Sequence, residues 1–105
     1  MSKTSTKATT KTKTLPYDVA EQLRTPQEIV AYLDAWLVDG PNDIAGIVRA
    51  LGDIAHAKGM SQVARDAGLS WESLYKALSE NGNPSFATVL KVVRALGLRL
   101  HAEVA

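Results

Sequence analysis

The chain has no cysteine among its 105 residues, which excludes disulfide bonds and thiolate metal sites. Aromatic residues make up only 6% of a chain that is 46% hydrophobic, and this composition favours packing of small aliphatic side chains between helices over a sheet. No apolar run approaches the ~18 residues of a membrane-spanning helix, and no signal-peptide segment follows the N-terminal lysines. We therefore expect a soluble, cytoplasmic protein with one modest core.

Charge is distributed unevenly, although the net charge is only +1. Residues 1–14 contain four lysines and no acidic residue, whereas residues 15–40 contain one arginine and five acidic residues, a net charge of −4. Residues 41–105 are nearly balanced, with seven basic and six acidic residues. Because the Ser/Thr/Lys-rich stretch 1–14 has too few apolar residues to offset its ordering entropy, we predict a disordered basic tail there.

The clearest helix start lies at residues 25–28 (TPQE), which combine an N-cap, a proline at the first helical position and a capping-box glutamate. They predict a helix from Pro26 to about Asp39, stopped by Gly40. The apolar positions of this helix form one stripe, which is either ordinary core or a face for a partner protein. The stripe consists of Ile29, Tyr32, Leu33, Trp36 and Leu37.

Two further amphipathic helices are predicted outside the central stretch of the chain. One begins at Asn42 or Gly40 and ends at Lys58, and the other begins after the N-cap Ser85 and ends at Gly97. The apolar stripe of the last helix contains Phe86, Val89, Leu90, Val93 and Leu96.

In the last residues of the chain, the spacing of apolar side chains changes from a helical period to alternation. Residues 98–104 alternate apolar with polar or charged side chains, which is typical of a half-buried strand. Such a strand needs a partner, either residues 15–19 or its own copy across a two-fold axis, and we favour the second. The sequence thus predicts an all-α bundle of about five helices with a short C-terminal β-strand.

The central stretch, residues 61–78 (SQVARDAGLSWESLYKAL), has the pattern helix, turn, helix. Ser61 can cap the first helix, Gly68 supplies the positive φ that ends it, and Ser70 can cap the second. Any two short helices of a small bundle could share this pattern, but in a DNA-binding motif the start of the second helix enters the major groove. The residues then expected to face DNA are Ser61, Gln62, Ser70, Trp71, Glu72, Ser73, Tyr75 and Lys76.

The segments predicted are a disordered basic tail (1–14), an N-terminal arm and helix (15–40), and a helix-turn-helix DNA-binding domain with the C-terminal strand (41–105). No nucleophile–base pair or phosphate-cradling loop is recognisable, so we expect no catalytic residues, no cofactor and no enzyme activity. His56 and His101, in a chain without cysteine, form no recognisable metal site.

Residues 15–98 resemble the helix-turn-helix antidote proteins of bacterial addiction modules, the Xre/HigA-like antitoxins. The chain departs from the pattern at His56 and Trp71, where we would expect arginine, and these changes remove potential guanine or phosphate donors. The resemblance rests on four blocks in order: GMSQ at 59–62, GLS at 68–70, LYKAL at 74–78 and GNPSF at 82–86.

The resemblance implies an antitoxin that binds and neutralises a RelE/HigB-like toxin and represses its own operon by binding operator DNA, which we expect it to do as a homodimer. Because such a toxin should be basic, the acidic residues 15–40 would attract it, with Tyr17, Tyr32 and Trp36 as anchors. The alternative is a stand-alone Xre-type transcriptional repressor with no toxin partner, in which the helix from Pro26 is core or dimer surface.

Overall fold

The computed structural model describes residues 23–105, and this part of the chain confirms the predicted small all-α bundle. The predicted basic tail and the candidate anchor Tyr17 lie outside the described residues. None of the described helices has the length and hydropathy needed to cross a membrane. The helices are α1 (Pro26–Asp39), α2 (Ile44–Lys58), α3 (Met60–Ala67), α4 (Trp71–Ala77) and α5 (Phe86–Ala95).

Three helices begin at the predicted N-caps. Oγ1 of Thr25 accepts a hydrogen bond from the Glu28 amide at 3.1 Å, and the Glu28 carboxylate accepts one from the Thr25 amide at 3.0 Å, which completes the capping box of α1. The side chains of Ser70 and Ser85 each accept a hydrogen bond from the amide three residues further on, at the starts of α4 and α5. Local sequence alone therefore defines these helix starts.

Two predicted helix starts are wrong. The N-cap of α2 is Asp43 rather than Asn42 or Gly40, and its carboxylate accepts a hydrogen bond from the Gly46 amide at 2.9 Å. The N-cap of α3 is Gly59, whose φ of 108° lets it end α2 and open α3 at the same residue. Ser61 therefore lies inside the first turn of α3 and caps nothing.

The core is centred on α2, where Ala50, Ile54 and Ala55 are fully buried. Helix α1 packs against α2, while α3 packs against α2, α4 and α5. Helix α1 also contributes Ile29 and Leu33 to the buried cluster, so it belongs to the bundle. The other buried members of this aliphatic cluster are Leu23, Val48, Leu51, Met60, Val63, Ala64, Leu74, Leu78, Val92, Val93 and Leu96.

Not every residue of the predicted apolar stripes lies in the core. Phe86, the first residue of α5, is 69% exposed, and Leu37 of the α1 stripe is 36% exposed. The rest of the predicted α5 stripe largely holds, since Val93 and Leu96 are buried and Val89 packs against the core. Val92, which is fully buried, was not predicted.

The predicted C-terminal β-strand is not seen in the described residues. Gly97 adopts φ 79°, and the amide of Leu98 donates to the Val93 carbonyl at 3.0 Å, which turns the chain away from the end of α5. The part of the chain that is described has no strand with which residues 98–104 could pair. Leu98 packs against the core, whereas residues 99–105 are exposed whether they are apolar or polar.

Candidate functional site

Helices α3 and α4 form a compact unit, residues 60–77, that we call the helix-turn-helix unit. Gly68 ends α3 with φ 73°, and the amide of Leu69 then donates to the carbonyl of Ala64 at 2.9 Å. Ala64 and Ala67 are buried, and their small side chains suit the close crossing of two helices at a short turn. Leu74 is fully buried, which attaches α4 to the core through one side and leaves its opposite side in solvent.

The far end of α4 is held by a close approach to α2. A Cβ atom on Gly52 would lie 3.2 Å from the carbonyl oxygen of Leu78, which is tighter than ordinary van der Waals contact. Glycine at this position of α2 therefore lets the end of α4 lie directly on the α2 backbone. Together with the Ser70 cap at the other end, this contact defines which face of α4 is presented to solvent.

The helix-turn-helix unit presents on its surface the residues predicted to face DNA. Ser70 and Ser73 bond to each other, because the Ser70 hydroxyl donates to Oγ of Ser73 at 2.8 Å and accepts from the Ser73 amide at 3.0 Å. Binding of DNA by any of these residues stays a prediction. The full set is exposed: Ser61, Gln62, Ser70, Trp71, Glu72, Ser73, Tyr75 and Lys76.

A cation that sequence reasoning missed lies beside Gln62. The guanidinium of Arg65 donates to Oε1 of Gln62 at 2.9 Å, and the amide nitrogen of Gln62 donates to Asp66 at 2.9 Å. Gln62 thus holds Arg65 on the exposed face of α3. The spacing of three and four residues could have indicated these contacts, because such pairs are neighbours on a helix surface.

Three aromatic side chains form a continuous row on the helix-turn-helix surface, which we call the aromatic row: His56, Tyr75 and Trp71. The rings of Trp71 and Tyr75 meet edge to face with centroids 4.8 Å apart, and those of Tyr75 and His56 do so at 6.2 Å. The two residues that depart from the resembled pattern, His56 and Trp71, therefore flank Tyr75. No local sequence pattern could indicate the contact between His56 and Tyr75, because His56 lies on α2 and Tyr75 on α4.

Tyr32, predicted as a toxin-binding anchor, ties α1 to α2. Its hydroxyl donates to Oδ2 of Asp53 at 2.7 Å, and its ring packs against the core. Burial raises the pKa of Tyr32 to about 12, and the hydrogen bond to Asp53 and the negative charge of that carboxylate act in the same direction. In this structure Tyr32 therefore serves the contact between two helices of the same chain.

Trp36, the second predicted anchor in α1, is also engaged inside the molecule. Its ring packs against the core, and the guanidinium carbon of Arg49 lies 5.6 Å from the ring centroid. A Cβ atom on Gly46 would clash with the Trp36 ring and with the Asp43 carboxylate, so glycine at this point of α2 makes room for the indole. Trp36 and Tyr32 are thus positioned on the inner side of α1.

The outer side of α1 carries an apolar groove that sequence reasoning did not separate from the inner stripe. The groove has a volume of about 600 Å³ and lies between α1 and residues 97–103. We call it the α1 groove. Its apolar lining comes from Val30, Leu33, Leu37, Val38, Leu98 and Leu100, and its charged lining from Asp34, Arg99 and Glu103.

Residues 23–105 contain no group of three or more histidine, aspartate or glutamate side chains that could hold a metal ion. The surfaces described above can make hydrogen bonds, ion pairs and apolar contacts. The candidate functional surfaces of this part of the chain are therefore the exposed face of the helix-turn-helix unit and the α1 groove.

Comparison with known proteins identifies the family. Residues 13–104 match the family described as probable addiction module antidote protein. A protein of Haemophilus influenzae (strain Rd), described as uncharacterized, is 54% identical over 87 residues, which cover 83% of this chain and 88% of that protein. No solved structure matches the chain. Because the family match extends over most of its length, the chain belongs to the family of probable addiction module antidote proteins.

Proposed function

We propose that this antidote protein is a cytoplasmic antitoxin that neutralises a RelE/HigB-like toxin by direct binding and represses its own operon by binding operator DNA as a homodimer. The observation that carries the proposal is the exposed face of α4, which a buried Leu74 and a capped start hold in one orientation, in a chain of the antidote family. The proposed activities are both binding events, and neither requires catalysis.

The DNA-binding proposal rests on polar groups one helical turn apart on α4. Lys76 can donate to a guanine edge or a phosphate, and Glu72 can accept from the N4 amine of cytosine. Ser61 and Gln62 lie exposed in the first turn of α3, where backbone amides can approach a phosphate. Arg65, held by Gln62, adds a second cation to the same unit.

The homodimer follows from the way such a unit reads DNA. One unit contacts only a few base pairs, so specific binding requires two copies on half-sites one helical turn, roughly 34–36 Å, apart. A two-fold dimer presents its two α4 helices to such a palindrome by symmetry. We therefore expect the protein to bind operator DNA as a dimer.

For the toxin we propose the α1 groove as the binding surface. Its apolar lining is half-exposed, with Val38 63% exposed, and can supply the buried contacts from which affinity comes. Residues 23–40 carry one arginine against Glu28, Asp34 and Asp39, a net charge of −2 that complements a basic toxin. Tyr32 and Trp36 would contribute by holding α1 in place, while Tyr17 stays a predicted anchor outside the described residues.

A second candidate, a stand-alone Xre-type repressor with no toxin partner, is favoured by one observation. The aromatic residues of α1 expected to anchor a toxin, Tyr32 and Trp36, already make contacts within the chain. If no toxin exists, α1 is simply part of the core, and the α1 groove would face a second copy of the chain.

The two candidates are separated by the product of the adjacent gene. The tagged chain is expressed together with that product, purified, and tested in a gel shift on the DNA upstream of its own operon. The antitoxin proposal predicts that a small basic protein co-purifies in stoichiometric amount and that the upstream DNA shifts. A shift without any co-purifying protein would favour the stand-alone repressor, and the absence of both would contradict both candidates.

A further inference from the structure

We propose that the aromatic row reads thymine: Trp71 and Tyr75 contact the C5-methyl groups of operator thymines in the major groove. The proposal rests on the proposed DNA binding and adds the chemistry of the base that is read. The rings would add apolar base contacts to those proposed for the polar residues of α4, where Glu72 accepts from cytosine and Lys76 donates to guanine or to a phosphate.

The geometry of the two rings is the first support. Trp71 is 48% exposed and Tyr75 is 45% exposed, so about half of each side chain is available on the surface that presents Glu72 and Lys76. Because they are four residues apart, the rings lie on one face of α4, and their edge-to-face contact joins them into one apolar surface. That surface begins at the first residue of the helix that would enter the groove.

The row is also held in place before any ligand arrives. His56 packs against Tyr75 from α2, Tyr75 packs against Trp71, and the neighbouring Leu74 is fully buried. Large aromatic side chains have few rotatable bonds, and contacts on both sides restrict Tyr75 further. Such residues lose little conformational entropy when they bind, so this entropy cost offsets only a small part of the binding free energy from their apolar contacts.

Base chemistry selects thymine as the partner of an apolar surface. In the major groove the C5-methyl group distinguishes thymine from the other bases, and apolar side chains contact it. An indole offers one donor and no acceptor, so Trp71 cannot form the bidentate pairs that select guanine or adenine. Lys76 follows Tyr75 directly on α4, so the helix that carries the rings also carries a cation that can meet a phosphate.

The experiment compares thymine with uracil, which differ only by the methyl group. Duplexes bound by the full-length protein are enriched from a randomised DNA library, and fluorescence anisotropy then measures affinity with each thymine replaced in turn by deoxyuridine. Loss of one buried methyl group should weaken binding about fourfold at one or two positions of each half-site. Trp71→Ala should weaken binding of the thymine duplex and no longer distinguish it from the uracil duplex at those positions.

Two variants serve as controls. Trp71→Phe keeps an apolar ring and should retain part of the preference for thymine, while Phe86→Ala removes an exposed ring outside the helix-turn-helix unit and should change nothing. Circular dichroism melting checks that each variant is folded.

Other results would overturn the proposal in distinguishable ways. If wild type binds the uracil duplexes as tightly as thymine ones while Lys76→Ala weakens binding, α4 meets DNA but does not read methyl groups. If Trp71→Ala keeps full DNA affinity and loses the co-purifying toxin, the aromatic row is a protein-binding surface. If no duplex is enriched, the proposed DNA binding fails as well.

Discussion

The hydroxyl of Tyr32 donates a 2.7 Å hydrogen bond to the carboxylate of Asp53, which joins α1 to α2 between residues 21 positions apart in the chain. The bond is accompanied by burial of Ile29 and Leu33 from the same helix in the common core. Helix α1 is thus a structural member of the bundle, and the proposed toxin surface lies on the outer side of a helix that also stabilises the bundle.

Tyr32→Phe should lower the free energy of unfolding at neutral pH by about 1–2 kcal/mol, because it leaves the partly buried Asp53 carboxylate without its donor. Urea unfolding followed by circular dichroism measures the loss. The matched control is Tyr75→Phe, which removes a hydroxyl from an exposed tyrosine. An equal and small effect of both variants would contradict a stabilising bond between Tyr32 and Asp53.

The contribution of Tyr32 should depend on pH in a defined direction. Its folded-state pKa is raised from 10.0 to about 12, so the folded protein holds this proton more tightly than the unfolded chain does. The stabilisation is therefore complete below pH 10 and is lost as the pH rises towards 12. We expect the difference in unfolding free energy between wild type and Tyr32→Phe to be constant up to about pH 9 and to shrink above pH 10; a constant difference up to pH 12 would refute the raised pKa.

Gly46→Ala should destabilise the bundle by about 1–3 kcal/mol, because the added methyl group would displace the Trp36 ring and the Asp43 cap. Gly40→Ala is the control, since a Cβ atom there lies 3.5 Å from the nearest atom, an ordinary contact. Thermal melting of both variants compares them. Equal melting temperatures for wild type and Gly46→Ala would show that Trp36 does not pack closely on α2.

Local signals explain why part of this fold is predictable from the sequence. The caps Thr25, Ser70 and Ser85 and the positive φ of Gly68 depend on residues within a few positions of one another, and all four were predicted correctly. The C-terminal alternation looked like a strand because periodicity shows which side chains share a face but does not show whether a partner strand is present.

The candidate surfaces were less predictable, because their key contacts are long-range. The sequence placed Tyr32 and Leu37 in one apolar stripe of α1, whereas Tyr32 is bonded to Asp53 on the inner side and Leu37 lines the α1 groove. Likewise, the aromatic row forms only when α2 brings His56 beside Tyr75. The exposure of Lys76 could be predicted, since the buried Leu74 two residues earlier sets the orientation of α4.

Lys76→Ala should weaken operator binding by roughly 1–3 kcal/mol, because the cation is placed to meet a guanine edge or a phosphate. If Lys76 contacts a phosphate, the slope of log affinity against log salt should also fall by about one. Lys91→Ala removes an exposed lysine from α5 and controls for the loss of charge. Equal affinity of Lys76→Ala and wild type across a salt series would rule out this face of α4.

Val38→Glu should weaken toxin binding about tenfold or more, because it puts a charge among the apolar side chains of the α1 groove. Ala35→Glu makes the same charge change at an exposed position of α1 that does not line the groove. Added negative charge should by itself attract a basic toxin. If only Val38→Glu loses toxin binding, the loss therefore shows that the toxin makes apolar contacts in the α1 groove. Sedimentation of both variants shows whether the α1 groove is part of the dimer interface. If Val38→Glu is a monomer that still binds toxin, the groove is a dimer interface and not the toxin-binding surface.

The most direct test of the proposed antidote function is rescue of growth in cells that express the product of the adjacent gene. We expect this product to arrest growth, wild type and Lys76→Ala both to relieve the arrest, and Val38→Glu not to relieve it. Relief by Lys76→Ala would show that neutralisation occurs by binding the toxin rather than by repressing its gene. Persistent arrest in the presence of the folded wild-type protein would contradict the assignment of this chain as the antidote to that product.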